Sequence, residues 1–138
     1  SAFAKRRCLI PADGFYEWKA SGTGTKQPYR IALPNNELFA FAGIWELWQS
    51  SEGVSIESCA IITTAASPQI TSIHHRMPVI LDDDAQLLWL AESTSPDERQ
   101  SLLQSAPDGT LDIRQVKRTV NSPRNECAQL IDEFEATG

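Results

Sequence analysis

Apolar and polar positions in this chain change over at short intervals, and most runs suit strands better than helices. Cys8-Leu9-Ile10 reads as a short strand, Pro11-Ala12-Asp13-Gly14 as a tight turn, and Phe15 to Trp18 as a return strand, which together predict a hairpin over residues 8–19. Asp13-Gly14 carries the turn signal, because glycine takes a positive φ without steric cost. Alternation along the return strand puts Phe15 and Glu17 on one face and Tyr16 and Trp18 on the other. Residues 20–26 are polar and glycine-rich; no Gly-Lys-Ser/Thr follows and no helix opens, so they predict a plain hairpin loop and not a phosphate cradle. Strands are expected over Gln27–Leu33 and Leu38–Trp48, with Gly43 in the second marking a bulge or a close backbone approach. Ser55–Ala66, centred on Ala60-Ile61-Ile62, predicts a strand buried on both faces.

The second half is patterned differently. Pro68–Ser72 allows one helical turn, delivering His74, and Pro78–Leu81 a short strand. Asp82-Asp83-Asp84 opens an amphipathic helix with Leu87, Leu88 and Leu90 as its apolar positions; acidic residues in a first turn favour the helix dipole, so this run reads as a cap. Ser95-Pro96-Asp97-Glu98 starts a second helix with Pro96 at its first position. Leu111–Val116 alternates as a last strand, and the acidic tail from Glu126 to Gly138 is expected to fray beyond Ile131. The sum is a strand-rich α+β domain, a mostly antiparallel, barrel-like sheet with two late helices, in one domain over residues 1–138.

Composition narrows the class. The chain has 138 residues and is 41% hydrophobic, enough for a core. No run approaches the ~20 apolar residues of a membrane span, so no membrane partner is expected. Cys8, Cys59 and Cys127 are an odd number without Cys-x-x-Cys spacing, which disfavours a disulfide framework or a zinc site and suits a reducing, cytoplasmic setting, nucleoid-associated if bacterial. Cys8 and Cys59 lie in apolar strand patterns and read as buried structural thiols. The net charge of -6 argues against a generic nucleic-acid binder. Its distribution is milder: residues 1–81 hold 7 Lys and Arg against 6 Asp and Glu, a net of +1, and residues 82–138 hold 5 against 12, a net of -7.

Two stretches carry chemistry. Glu17 sits mid-strand beside Trp18 in apolar company, where a carboxylate is costly unless paired or used. Both histidines of the chain lie in Ile73-His74-His75-Arg76-Met77-Pro78. By residue type, Glu17 and His74 are the pair fit for acid–base work. If the second segment is extended, His74 and His75 point to opposite sides; a shared metal site is then disfavoured and His75 is a surface residue. Arg118 and Arg124 suit either a phosphate-binding surface or ion pairs with the acidic tail.

Arg7-Cys8-Leu9-Ile10-Pro11-Ala12-Asp13-Gly14-Phe15-Tyr16-Glu17-Trp18 and Ile73-His74-His75-Arg76-Met77-Pro78-Val79-Ile80-Leu81 together resemble the SRAP family, the SOS-response-associated peptidases. The resemblance continues through Gln27-Pro28-Tyr29, Phe41 to Glu46, Ala60 to Ala66, Val120-Asn121-Ser122-Pro123-Arg124-Asn125 and Gln129-Leu130-Ile131. It implies that Glu17 and His74 flank an N-terminal cysteine, which reacts with the ring-opened aldehyde of an abasic site in single-stranded DNA and closes a thiazolidine crosslink. Glu17 would shuttle the proton and His74 assist at the sugar. Arg76 would hold a backbone phosphate and Trp18 would offer a ring to the exposed nucleotide. No cofactor or metal is implied.

The departure from the family pattern is at the start. Residues 1–7 resemble the family's approach to the Cys-Leu-Ile-Pro strand, with no Met-Cys-Gly-Arg before it. The chain thus reads as N-terminally truncated, and Cys8, being internal, cannot present a free α-amine. Three readings follow: an inactive part of an abasic-site crosslinking peptidase, a module that binds single-stranded DNA without covalent chemistry, or a scaffold whose Glu17 and His74 are satisfied core groups. Strand edges left open by truncation invite pairing with another chain, so a homodimer through them is expected.

Overall fold

The computed structural model describes residues 1–134. A helical turn, α1 (Ala2–Lys5), leads into β1 (Arg7–Ala12), β2 (Phe15–Ala20), β3 (Lys26–Ala32), β4 (Phe39–Gln49), β5 (Ser55–Ile61) and β6 (Thr63–Ala65). A second turn, α2 (Pro68–Thr71), precedes β7 (Arg76–Pro78) and β8 (Ile80–Leu81); α3 (Asp83–Leu90), α4 (Pro96–Ser101) and β9 (Asp112–Gln115) follow. Two compact units divide these elements: residues 1–12, 39–65 and 76–106 form one, and residues 13–38, 66–75 and 107 onward the other.

In the first unit, β4 is the axis of an antiparallel sheet, with β1 and β5 on its two sides and β8 also pairing with it. Cys8 lies opposite Gly43, and a Cβ at Gly43 would meet Cys8 Sγ and Ile10 Cδ1 at 2.9 Å. The bulge or close backbone approach expected at this glycine is not found: the register runs unbroken through it, and the nearest atoms are side chains from β1. The core gathers Ala42, Val79, Leu81 and Trp89, with Phe3, Leu9 and Ile44 packed against them. Asp82 caps α3, accepting a hydrogen bond from the Ala85 N–H at 2.8 Å, as the acidic run suggested. α4 carries a full capping box between Ser95 and Glu98. The two Ser95 hydrogen bonds hold the Glu98 carboxyl below its usual pKa.

Two expectations for this unit need correction. Leu87, Leu88 and Leu90 do not face the core: they are exposed, and Trp89 between them is fully buried. Trp89 fills the space because its indole N–H donates to the Cys8 carbonyl at 3.1 Å and its ring meets the edge of Phe3 at 5.7 Å. Ser55–Ala66 is two strands parted at Ile62, whose N–H donates to the Ala42 carbonyl at 2.9 Å. β5 is not buried on either face but exposed at every position. It is the outer strand of its sheet, and its partner, the Trp45–Gln49 half of β4, is exposed too. Cys59 shares that exposure, so it is not a buried thiol; Cys8 is half-buried and Cys127 exposed.

The second unit is built on the three-stranded sheet β2-β3-β9. Its registers set Glu17 opposite Tyr29 and Tyr29 opposite Gln115. Ile31, Ile70 and Val116 are fully buried. The loop after Ala20 joins β2 to β3 as a plain hairpin connection. Beyond Ile131 the tail stays ordered for a further step: Glu133 bridges Val116, and the Phe134 N–H donates to the Gln115 carbonyl at 2.9 Å. The rest of the expected frayed tail, residues 135–138, lies outside the described residues.

The hairpin predicted over residues 8–19 does not form. β1 pairs with β4 and β2 with β3, so the Asp13-Gly14 turn passes the chain from one sheet to another. Nor does Gly14 adopt a positive φ. It is required for room, since a Cβ there would lie 2.9 Å from the Arg30 guanidinium. That guanidinium is buried and donates to Asn36 Oδ1 at 2.8 Å and to the Asp13 carbonyl at 3.0 Å. The barrel is also not found: the described strands form three separate antiparallel sheets, and none closes. Alternation assigns faces within a strand but does not name the strand's partner.

Candidate active site

Glu17 stands at the middle of β2, half-buried. Its own face of the strand carries Phe15 and Lys19, and its cross-strand neighbour is Tyr29. Directly opposed residues bring their Cβ atoms to about 4.5–5.5 Å. The Tyr29 hydroxyl accepts a hydrogen bond from Gln115 Nε2 at 3.0 Å, so one row across the sheet reads Glu17, Tyr29, Gln115. Among the described residues the Glu17 carboxylate makes no hydrogen bond and no ion pair. A half-buried carboxylate without a hydrogen-bond partner keeps both oxygens as acceptors for a donor from a ligand.

Trp18 lies on the other face. Its indole N–H donates to Asn121 Oδ1 at 2.6 Å, and its ring lies 6.2 Å from that of Tyr16. Asn121 ends a short 3₁₀ turn, Arg118–Asn121. The bond thus ties a segment more than a hundred residues downstream to the strand that carries Glu17. The sequence offered Asn121 only within the Val120–Asn125 stretch; nothing in its spacing names Trp18 as partner.

His74 is half-buried and follows α2, its N–H donating to the Ile70 carbonyl at 3.0 Å. The segment is not extended here. The chain bends at His75, whose carbonyl accepts from the Ala66 N–H at 3.0 Å, and the two imidazoles stack with centroids 4.6 Å apart. The expectation that His74 and His75 diverge is therefore corrected, because alternation begins only where β7 does, at Arg76. His75 is exposed, as a surface residue should be. Among the described residues, no three His, Cys, Asp or Glu gather as metal ligands would.

Glu17, Trp18 and His74 belong to one compact unit, and Arg76 opens β7 in the other. The Arg76 guanidinium donates to the Thr63 carbonyl at 2.6 Å and to Thr63 Oγ1 at 3.1 Å, so part of its fork is used across the β6–β7 pair.

A family model described as SOS response associated peptidase (SRAP) matches residues 1–123. The chain belongs to the SRAP family. Abasic site processing protein YoqW of Bacillus subtilis (strain 168) is 47% identical over 128 residues, which cover 92% of this chain and 57% of that protein. Abasic site processing protein HMCES of Gallus gallus is 35% identical over 150 residues, covering 94% of this chain and 44% of that protein. The chain thus spans about half the length of the curated relatives it matches. Among solved structures, a protein from Bacteroides thetaiotaomicron superposes with a TM-score of 0.88 at 29% identity, over 97% of this chain and 59% of the other. The antiparallel sheets described above thus match a solved fold, and no helix of this SRAP chain is long and apolar enough to cross a membrane among the described residues.

Proposed function

We propose that this chain carries the proton-transfer and strand-binding part of a protein that crosslinks abasic sites in single-stranded DNA. The observation that carries the reading is the Glu17 carboxylate: half-buried, without a hydrogen-bond or ion-pair partner among the described residues, and adjacent in β2 to a tryptophan fixed by Asn121. The names of the relatives, abasic site processing proteins, favour it.

In this reading Glu17 gives a proton to the departing sugar oxygen and takes one back as the adduct closes. His74 assists at the same sugar. Trp18 offers its ring to the exposed nucleotide, and Arg76 contacts a backbone phosphate. The nucleophile is a cysteine with a free α-amine, whose thiol and nitrogen both add to the aldehyde carbon with loss of water, leaving a thiazolidine. The Cys8 nitrogen is a peptide amide within β1, so Cys8 is not that nucleophile. The open edge of β5, with Trp48 and Ile56 more than half exposed, supports association of two copies of the isolated chain.

The test uses the chain alone and a version extended to begin with a cysteine as its relatives' length permits. Each is mixed with abasic single-stranded DNA and resolved under denaturing conditions. Only the extended form should give a shifted band. In that form Glu17→Gln should slow the crosslink by about 10²–10⁴-fold, the usual contribution of a general acid–base group, with affinity for a non-reactive abasic analogue little changed. If affinity collapses while the rate at saturating DNA holds, Glu17 positions the strand and transfers no proton. Binding without any band from the extended chain would favour a non-covalent module.

A further inference from the structure

Two cavities of this molecule are lined by cations, and they differ in what those cations are doing. In the first unit, Arg7, Arg99 and Lys5 line a cavity of about 520 Å³ with Glu92. Its guanidiniums are already engaged. Arg7 donates to the Trp89 carbonyl at 2.6 Å and to the Phe3 and Ala4 carbonyls, and Arg99 donates to the Ala91 and Glu92 carbonyls at 3.2 and 2.9 Å. These arginines tie down the carbonyl ends of α1 and α3, and that is a structural task.

The second cavity, about 470 Å³, lies wholly within the other unit, where Lys117, Thr119, Arg124 and Asn125 line it. Lys117 and Arg124 are exposed, and neither makes an ion pair or a side-chain hydrogen bond among the described residues. Glu126 is the single carboxylate in the lining, so the pocket holds a net charge of +1. The walls are fixed by neutral contacts: Asn125 Nδ2 donates to the Thr119 carbonyl at 2.7 Å, and the Asn125 N–H to the Ser122 carbonyl at 3.0 Å. The same segment holds Trp18 through Asn121. Asn121 and Arg124 are three residues apart, so their Cα atoms lie within about 11 Å of one another.

We propose that the Lys117–Arg124 pocket is a phosphodiester subsite, which holds the backbone of the single strand next to the nucleotide stacked on Trp18. The proposal rests on the DNA-binding reading above and extends it to residues that reading does not use. Two cations that line one pocket and make no ion pair among the described residues suit a phosphate, with Arg124 offering a fork and Lys117 a point charge. Thr119 and Asn125 add neutral polar groups. Contacts of this kind carry no sequence preference; they set register and orientation.

The test measures binding of an abasic-analogue single strand by anisotropy at several salt concentrations, for the chain and for Lys117→Ala/Arg124→Ala. Each phosphate neutralised on a single strand contributes about 0.7 to the slope of log affinity against log salt. The double variant should lose about 0.7 of slope, one phosphate, and bind all sequences more weakly, whereas Lys117→Arg/Arg124→Lys should keep the slope. Both residues are exposed, so the melting temperature should not move. A second arm follows the Arg124 Nε–H signal by NMR; it should shift with oligonucleotide and not with inorganic phosphate at equal phosphate concentration. An unchanged slope in the double variant overturns the subsite while leaving the DNA reading intact, and an Arg124 shift from inorganic phosphate alone makes the pocket a free-anion site. Failure of the unmodified chain to bind the strand overturns both.

Discussion

Replacing Trp89 tests the assignment of α3's inner face, because the apolar pattern and the structure disagree there. Trp89 is fully buried, while Leu87 is 72% exposed. Deleting a buried tryptophan side chain costs about 3–5 kcal/mol in transfer and cavity terms. The hydrogen bond to the Cys8 carbonyl adds about 1 kcal/mol, and the edge contact with Phe3 about 0.5–1.5 kcal/mol. These overlap, so Trp89→Ala should remove about 4–5 kcal/mol, comparable to the whole stability of a small domain, and leave too little folded protein to measure. Trp89→Phe is the usable variant. It keeps a ring against Phe3 but loses the N–H and part of the volume, which together should cost about 2 kcal/mol. Leu87→Ala should stay within about 0.5 kcal/mol, as surface substitutions do. The assay is urea unfolding of the chain followed by circular dichroism, with the slope m checked for constancy so that the midpoint reports stability. If Leu87→Ala costs as much as Trp89→Phe, the helix is turned about its axis from the orientation described and the core of the first unit is wrong.

Three further outcomes are expected. Arg76→Ala should reduce the salt slope for single-stranded DNA by about 0.7, one phosphate, and lower stability by about 0.5–1.5 kcal/mol through the lost bonds to Thr63; a constant slope in a salt titration would make Arg76 structural only. Asn121→Ala should weaken binding of a single strand that carries a base to stack more than it weakens binding of an all-abasic strand, because it frees the Trp18 ring; equal losses would deny the ring a stacking role. Burial, with a smaller contribution from Cys59, raises the Cys8 pKa, so at pH 8 iodoacetamide should label Cys59 and Cys127 before Cys8 by mass spectrometry. By the same shift, the stabilisation from holding Cys8 neutral is full below about pH 8.5, the unfolded thiol's pKa, and is lost as pH rises through the higher folded value.

What could be read from the chain alone depended on whether the signal was local. Asp82 and Ser95 announce helix starts because a cap is satisfied within three residues, and both caps are present. The β2–β3 hairpin was legible for the same reason. Partners distant in sequence were not. The pattern of Cys8–Trp18 is a hairpin's, yet β1 finds β4 and β2 finds β3, since a two-residue turn can join two sheets as well as two strands. β5 reads as buried because Ile56, Ala60 and Ile61 are apolar, but burial depends on a covering layer, which composition does not supply. At the site, Glu17, Trp18, His74 and Arg76 were chosen by residue type and family resemblance. Asn121, which fixes Trp18, had no local mark because its partner lies across the chain.

The arrangement around Glu17 suggests why a strand, and not a loop, holds this carboxylate. Donors on the sheet are already committed: Gln115 donates to Tyr29, and Trp18 donates to Asn121. Lys19, on the same face, makes no ion pair with it among the described residues. A carboxylate pinned by two or three donors is held ionised and gives up its proton too readily to act as an acid. One left unpinned keeps both oxygens open to donors from elsewhere. The hydrogen bonds that rigidify the β2–β3–β9 sheet therefore act around Glu17 and not on it: they tie its neighbours in the sheet and leave its carboxylate unbonded among the described residues.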